Sequence, residues 1–279
     1  MTFIEETVTA VDGLRLYIRR HEVEHPHAEV VIVHGFGEHS GRYAELTDHL
    51  IRHRFSVTAY DHRGHGLSDG LPGHVDRFKE YDDDLHRVLS AVRARGHSPK
   101  LCLLGHSMGG LITLRYLAKD SKSIAAAAVS APLIQVAVRV PAHKMMIARV
   151  SARVAPRLRL GNEIDPAVLS RDPEVGVAYA KDPLVNRMVS SRWFTEAMQA
   201  MEEIQQWAPQ ITAPVLMMHG TEDKLAKVEA TRELFGHLGS EQKELQIYQG
   251  YYHELFNEPE RQEIFGRVSL WLDRHSTVT

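Results

Sequence analysis

An apolar run, Leu101-Cys102-Leu103-Leu104, ends at Gly105, and a helical pattern of Leu111, Leu114, Tyr116 and Leu117 begins directly after Ser107. Between them stands Gly105-His106-Ser107-Met108-Gly109. A G-x-S-x-G string that joins a buried strand to a helix makes a tight, strained turn, which lifts the serine hydroxyl clear of the sheet. The glycines let strand and helix pass where a Cβ would clash. The helix start aims backbone N–H groups at any negative charge that develops beside Ser107. The pentapeptide alone is weak, because it arises by chance in roughly one chain in ten of this length. Its flanks carry the constraint: a chain with this junction folds around a strand followed at once by a helix.

The same alternation recurs on both sides. Residues 6–20 alternate around the turn pair Asp12-Gly13 and read as an antiparallel hairpin. Residues 29–34 form a continuous apolar run, the mark of a strand buried on both faces. A helix to about residue 53, a strand at 55–60, a helix at 78–94, the central strand and a short strand at 124–130 come next. The pattern resumes with strands at 214–220 and 244–248 and a closing helix at 259–275. This predicts an α/β fold with a mostly parallel eight-stranded sheet, helices on both faces and ligands at the strands' carboxyl ends. Residues 1–132 and 210–279 read as the core, and 133–209, where the alternation stops, as an inserted helical cap.

At 279 residues with 43% hydrophobic and 25% charged residues, the chain has the profile of one large soluble domain. A net charge of −3 argues against a dedicated nucleic-acid binder. The single cysteine, Cys102, sits inside the apolar strand and reads as a core residue rather than a nucleophile. With no basic and apolar leader at the start and no run of 18 apolar residues, the expectation is a cytoplasmic enzyme. The string His21-Glu22-Val23-Glu24-His25 matches a zinc-protease motif that works only on a helix. Pro26 comes directly after it and nothing marks a helix start, so it reads as a solvated connection with no metal.

Across the start of the cap, residues 121–162 carry no acidic side chain but seven basic ones: Lys122, Arg139, Lys144, Arg149, Arg153, Arg157 and Arg159. Val136, Val140, Met145, Met146, Ile147 and Val150 interleave with the charges. Two readings stay open. The stretch lies transiently on an anionic membrane surface, or it packs its apolar side on the body and solvates its charges.

A serine nucleophile needs a base, and the base an orienting acid, in the chain order Ser, Asp or Glu, then His. Asp223 follows the first strand after the cap and His253 follows the last strand, so both reach the same sheet edge as Ser107. Glu222 is the alternative acid. Among 18 histidines, only His253 lies just beyond a late strand in this order.

Several strings resemble the monoacylglycerol lipases of the α/β-hydrolase superfamily. They are His34-Gly35-Phe36-Gly37-Glu38-His39-Ser40-Gly41-Arg42-Tyr43, Asp61-His62-Arg63-Gly64-His65-Gly66, Gly105-His106-Ser107-Met108-Gly109-Gly110 and Tyr252-His253-Glu254. In the cap, Leu169-Ser170-Arg171-Asp172-Pro173 through Tyr179 and Asp182-Pro183-Leu184 are similar to the same family. The likeness runs from about residue 28 to 273, and bacterial lysophospholipases share these motifs. It implies a triad of Ser107, Asp223 and His253, an oxyanion hole from the Phe36 and Met108 amides, and glycerol contacts at Glu38, Arg42 and Tyr179. It also implies a small lipid ester as substrate, with no metal or cofactor. Two departures stand out: Phe36 replaces a small residue, and Ala226-Lys227-Val228-Glu229 lacks the proline that bacterial relatives often place after the acid.

The rival readings are a lysophospholipase or general carboxylesterase, a serine peptidase and a non-catalytic ligand receptor on the same scaffold. A peptidase needs an acidic clamp for an amino terminus, and the first half of the cap is basic. A dehalogenase of this fold needs an aspartate where Ser107 stands.

Overall fold

The computed structural model describes residues 2–97, 100–138, 142–162 and 164–276. Arg139 and Val140 of the basic stretch lie outside the described residues, as does the side chain of Lys144. The opening hairpin pairs β1 (Thr2–Thr9) with β2 (Arg15–Glu22) in antiparallel register, Thr9 opposite Arg15. It extends further than the alternation alone suggests. His21 and Glu22 close β2, and His25 sits in the next loop at φ 51°, so the two histidines of that string never share a helix face.

Then come β3 (Ala28–Val33), α1 (Ala44–Arg52), β4 (Phe55–Tyr60), α2 (Lys79–Arg95), β5 (Leu101–His106), α3 (Met108–Lys119) and β6 (Ala126–Ser130). The insertion carries α4 (Ala142–Val154), β7 (Arg159–Gly161), α5 (Pro173–Lys181), β8 (Met188–Ser190) and α6 (Ser191–Trp207). The chain re-enters the sheet at β9 (Val215–Gly220), followed by α7 (Val228–His237), β10 (Lys243–Tyr248) and α8 (Arg261–Ser276). The main sheet has eight strands in the order β1-β2-β4-β3-β5-β6-β9-β10. The six from β4 to β10 run parallel. The expected sheet is therefore present, with β5 and its serine at its centre.

Continuous apolar runs make such strands because both faces are covered. Along β3, Val30 and Ile32 enter one core with α1 and α8, while Val31 and Val33 enter the other with α2 and α3. Every residue of β3, β4 and β5 is buried. That includes Glu29, whose carboxylate accepts the Thr58 hydroxyl at 2.5 Å. Cys102 is also buried, and its apolar setting pushes the thiol up to about 12.

Three features differ from the sequence reading. A two-stranded ribbon, β7 against β8, lies within the insertion, and strands of three residues are too short for an alternation to show. Helix α7, its Ala230, Thr231 and Leu234 facing inward, fills the connection between β9 and β10. Helix α4 turns small residues toward α6: Ala152 is buried, and the Ser151 and Ser191 hydroxyls meet at 3.0 Å. Of its large apolar side chains, Met145 is half-buried beside α6, while Met146, Ile147, Val150 and Val154 face outward, each at least half exposed. The reading in which this helix packs its apolar side on the body does not hold for these four. The small residues let the two helices approach, and of the apolar side chains in this stretch Val136 packs on the core and Met145 lies against α6, as that reading expects.

The approach of α3 to the sheet depends on Gly109. A Cβ there would stand 1.9 Å from the Val33 carbonyl oxygen and 2.4 Å from that of His34. Gly266, inside α8, has nothing within 4 Å of where a Cβ would stand. Gly109→Ala is expected to cost about 3 kcal/mol or more, because backbone cannot yield as a side chain can. Gly266→Ala is expected to stabilise by roughly 0.5–1 kcal/mol through helix propensity. Thermal denaturation of the two variants beside the parent checks both signs.

Candidate active site

Ser107 sits between β5 and α3 at φ 53° and ψ −117°, a positive-φ conformation for a residue that carries a Cβ. Such strain costs on the order of 1–3 kcal/mol and persists only where surroundings enforce it. They do so here: the Ser107 N–H donates to the Ser130 carbonyl at 3.0 Å. Its own carbonyl accepts from Leu111 at 3.1 Å and Leu133 at 2.9 Å. The side chain thereby meets the start of α3 and opens into a cavity of about 200 Å³ that His253 also lines.

Asp223 lies in the loop after β9, with its side chain wholly buried. One carboxylate oxygen, Oδ1, accepts from the Leu225 and Ala226 amides at 2.7 and 2.9 Å. The other, Oδ2, accepts from His253 Nδ1 at 2.7 Å and lies 3.0 Å from His219 Nε2, which is also 3.2 Å from the Ala226 carbonyl oxygen. Burial works against the charged carboxylate, but His253 and His219 overcome it and hold the group far below the usual carboxylate range. For His253, burial favours the neutral ring, yet the Asp223 charge and hydrogen bond raise its pKa above 6.5, with Glu254 and Glu38 adding to the effect. The bond to Asp223 engages Nδ1 and leaves Nε2 as the nitrogen that can accept a proton. Glu222 instead points to solvent and pairs with Lys224 at 3.2 Å.

The loop that lacks proline is braced by backbone. Lys227 donates to the Gln135 carbonyl and Ala137 to that of Leu225, each at 2.9 Å, while Ala226 bridges Val136. The first residues of the insertion thus hold the acid loop.

Phe36 and Met108 flank Ser107 from two elements. Among the described residues, neither amide N–H donates a hydrogen bond. The loop that carries Phe36 is set by neighbours: Gly35 N–H donates to Glu38 Oε1 at 2.5 Å, and His34 Nε2 accepts the His62 amide at 2.9 Å. His62 Nε2 returns a bond to the His34 carbonyl at 2.9 Å, so these rings are neutral. Burial pushes His34 down to about 4 and His65 to about 3, consistent with uncharged imidazoles. The Phe36 ring lies against Trp193, ring centres 4.0 Å apart, and meets His65 edge-on at 5.3 Å. Its bulk becomes cavity wall, as the departure at this position suggests.

Of the three residues assigned to glycerol, Glu38 and Tyr179 line the cavity and Arg42 does not. Arg42 is held behind them, with Nη1 and Nη2 on the two oxygens of Glu254 at 2.7 and 2.8 Å and Nη1 also 3.2 Å from Glu38. Its guanidinium lies 5.1 Å from the Tyr179 ring centre. The Tyr179 hydroxyl is buried without a partner among the described residues. Away from Tyr179 the lining is apolar, with Leu133, Val136, Phe194, Ala197 and Met201 continuous with the core, whereas Leu225 packs on the Tyr179 side. Sequence reasoning missed His219 and Glu254. Glu254 stands in the string Tyr252-His253-Glu254 but without a role of its own, and His219, at the end of β9 and four residues before Asp223, carries no signal in the sequence.

The family model described as serine aminopeptidase, S33, matches residues 24–260. A monoacylglycerol lipase of Mycolicibacterium smegmatis is 35% identical over 90% of this chain and 89% of its own length. Human monoglyceride lipase is 32% identical over 91% and 84%, respectively. Among solved structures, a Paleococcus ferrophilus monoacylglycerol lipase superposes with a TM-score of 0.83 at 32% identity, covering 99% of this chain and 100% of that one. A soluble variant of the Saccharomyces cerevisiae monoglyceride lipase, in complex with a substrate analog, gives a TM-score of 0.86 at 26% identity over 100% and 97%. With this fold, this junction around Ser107 and relatives matched along most of their length, the chain belongs to the monoacylglycerol lipase family of α/β-hydrolases, and it is a serine ester hydrolase.

Proposed function

We propose that this chain hydrolyses monoacylglycerols to glycerol and a free fatty acid through an acyl-enzyme on Ser107. The observation that carries the reading is the cavity itself: Ser107 and His253 share it between an apolar end suited to an acyl chain and a polar end suited to a polyol. His253 takes the Ser107 proton as the hydroxyl attacks the ester carbonyl, then passes it to the departing glycerol oxygen. Asp223 fixes the ring and stabilises the imidazolium. The Phe36 and Met108 amides receive the oxyanion, a contribution of roughly 3 kcal/mol per donor. Water activated by the same histidine releases the fatty acid. The relatives named monoglyceride lipase support this substrate class. The aminopeptidase description of the family model favours a second reading, an amine-bearing substrate held by Glu38 and Glu254. Arg42 already neutralises part of that charge, and the apolar end offers an acyl chain more than a peptide needs.

Residues 133–209 act in this proposal as a cap that covers the acyl end, and α4 is the surface by which the cap meets an anionic membrane. Met146, Ile147, Val150 and Val154 face solvent beside the exposed Arg149, Arg153 and Arg157. Among the described residues no helix is long and apolar enough to cross a membrane, so the contact lies in the plane of the surface.

Ser107→Ala is expected to lower turnover of a monoacylglycerol by about a factor of a million while the thermal transition is kept. Asp223→Asn is expected to cost about 10⁴-fold, and Glu222→Gln almost nothing. Because His253 must be neutral to accept the proton and its pKa is raised, the acidic limb of kcat/KM lies above pH 6.5 in the parent enzyme. Removing the Asp223 charge moves that limb to lower pH. Equal losses at positions 222 and 223, or an unmoved limb, would place the acid elsewhere.

For the cap, flotation with anionic vesicles at low salt is expected to carry the protein. Binding is expected to fail near 1 M salt, where the screening length falls to about 3 Å from about 10 Å at 0.1 M. Replacing Arg149, Arg153 and Arg157 with Gln removes about 1 kcal/mol each, or roughly a hundredfold in affinity together. Hydrolysis of a short soluble ester is retained. Parent protein that stays in the soluble fraction at low salt would refute the membrane contact.

A further inference from the structure

We infer that the polar end of the cavity is a head-group filter that admits uncharged polyols and rejects phosphate-bearing head groups, with Glu254 as its determinant. The inference rests on the monoacylglycerol reading and concerns what that site excludes. The cavity wall contains two carboxylates, Glu38 and Glu254, and no lysine or arginine among the described residues. The guanidinium of Arg42 stands behind them with three N–H bonds committed to those carboxylates. Two carboxylates thus share one guanidinium behind them, and Arg187, outside the wall, spends its N–H bonds on the Tyr179 and Ala180 carbonyls.

A count of hydrogen-bonding capacity leads the same way. Glu38 Oε1 is filled by the Gly35 amide and the Tyr43 hydroxyl, at 2.5 and 2.7 Å, whereas Oε2 accepts only from Arg42 among the described residues. Glu254 Oε2 accepts from Arg42 and from Asn257 at 2.7 Å, whereas Oε1 accepts only from Arg42. A carboxylate oxygen takes two donors, so one acceptor position remains on each residue. Two free acceptors match the two free hydroxyls of a monoacylglycerol, each of which donates. A phosphate offers acceptors and charge, and meets like charge where it must also shed water. The buried Tyr179 hydroxyl adds a group that can accept or donate. Asn162 lies beside it, since a Cβ on Gly37 would stand 3.1 Å from that hydroxyl and 3.7 Å from Asn162 Nδ2.

The test compares 1-octanoylglycerol with 1-octanoylglycerol 3-phosphate, both below their aggregation limits so that the basic surface of α4 plays no part. The parent enzyme is expected to favour the uncharged substrate by about a hundredfold or more in kcat/KM. Glu254→Gln removes one negative charge and frees part of Arg42, and is expected to narrow that ratio at least about tenfold. Asn162→Lys brings a cation to the same end from the insertion and is expected to narrow it similarly. It decides the matter if Glu254→Gln fails to fold. Equal kcat/KM on the two substrates in the parent, or an unchanged ratio in every variant that folds, overturns the filter. A parent enzyme that prefers ethyl octanoate to 1-octanoylglycerol would overturn the monoacylglycerol reading instead, because the neutral-to-phosphate ratio is measured separately.

Discussion

The buried carboxylate of Asp223 is the constraint on which the rest of the site depends. A lone charge in such a place costs about several kcal/mol, and it persists only with donors on every side. Three donors and a neighbouring imidazole come from three parts of the chain: the Leu225 and Ala226 amides of its own loop, His253 from beyond β10, and the His219 ring from the end of β9. Those contacts are possible because β9 and β10 pair side by side in parallel, with the loops after them converging. The backbone pairing of residues 135–137 with 225–227 then ties the start of the insertion to the same charge. One buried ion therefore links the orientation of the proposed base to the point where the chain leaves the sheet after β6.

How much of this is legible in the sequence depends on the range of each interaction. The strands are readable because burial on both faces leaves runs such as Val30-Val31-Ile32-Val33 with no polar interruption. The order of Ser107, Asp223 and His253 is readable because each comes after a strand, and parallel strands deliver their succeeding loops to one edge. Helix α7 and the ribbon of β7 and β8 are not, one because its pattern comes after a loop without a start signal, the other because three residues show no period. His219 is hidden for a different reason. Its partners, Thr231 and Asp223, are fixed only once β9 and α7 are packed.

The histidines make the same point about charge. Eighteen of them in the chain suggest acid–base chemistry everywhere, yet the ones packed beneath the Phe36 loop act as neutral rods. His34 and His62 exchange bonds through ring nitrogen, amide and carbonyl, which needs one protonated and one free nitrogen on the His34 ring and a protonated Nε2 on His62. A proton added to His34 Nε2 would break that exchange inside a buried cluster. His253 is treated oppositely by its surroundings, because it alone among these rings has a buried carboxylate on its Nδ1. Composition cannot separate the two kinds, whereas the partner of each nitrogen does.

The insertion is held unequally, and that asymmetry bears on what each end of the cavity can do. Near α5 it is bound to the core by polar contacts. Arg171 reaches Glu258 at 2.8 Å and lies 4.1 Å from the Tyr251 ring centre, Ser170 donates to the Asn257 carbonyl at 2.8 Å, and His39 meets Asp182 at 2.9 Å. The Glu254 amide completes the set by donating to the Leu169 carbonyl at 2.7 Å. Directional bonds of this kind fix position as well as distance, so Tyr179 and Glu254 are held in one arrangement relative to His253. Helix α4 has another kind of support, resting on α6 through Ala152 and a serine pair while its larger apolar side chains stay outside. Contacts between small side chains set a distance of approach but little direction. The end of the cavity that must distinguish hydroxyl from phosphate is the end built with hydrogen bonds. The end proposed to take the acyl chain is lined by apolar packing from α6 and from the residues that precede α4.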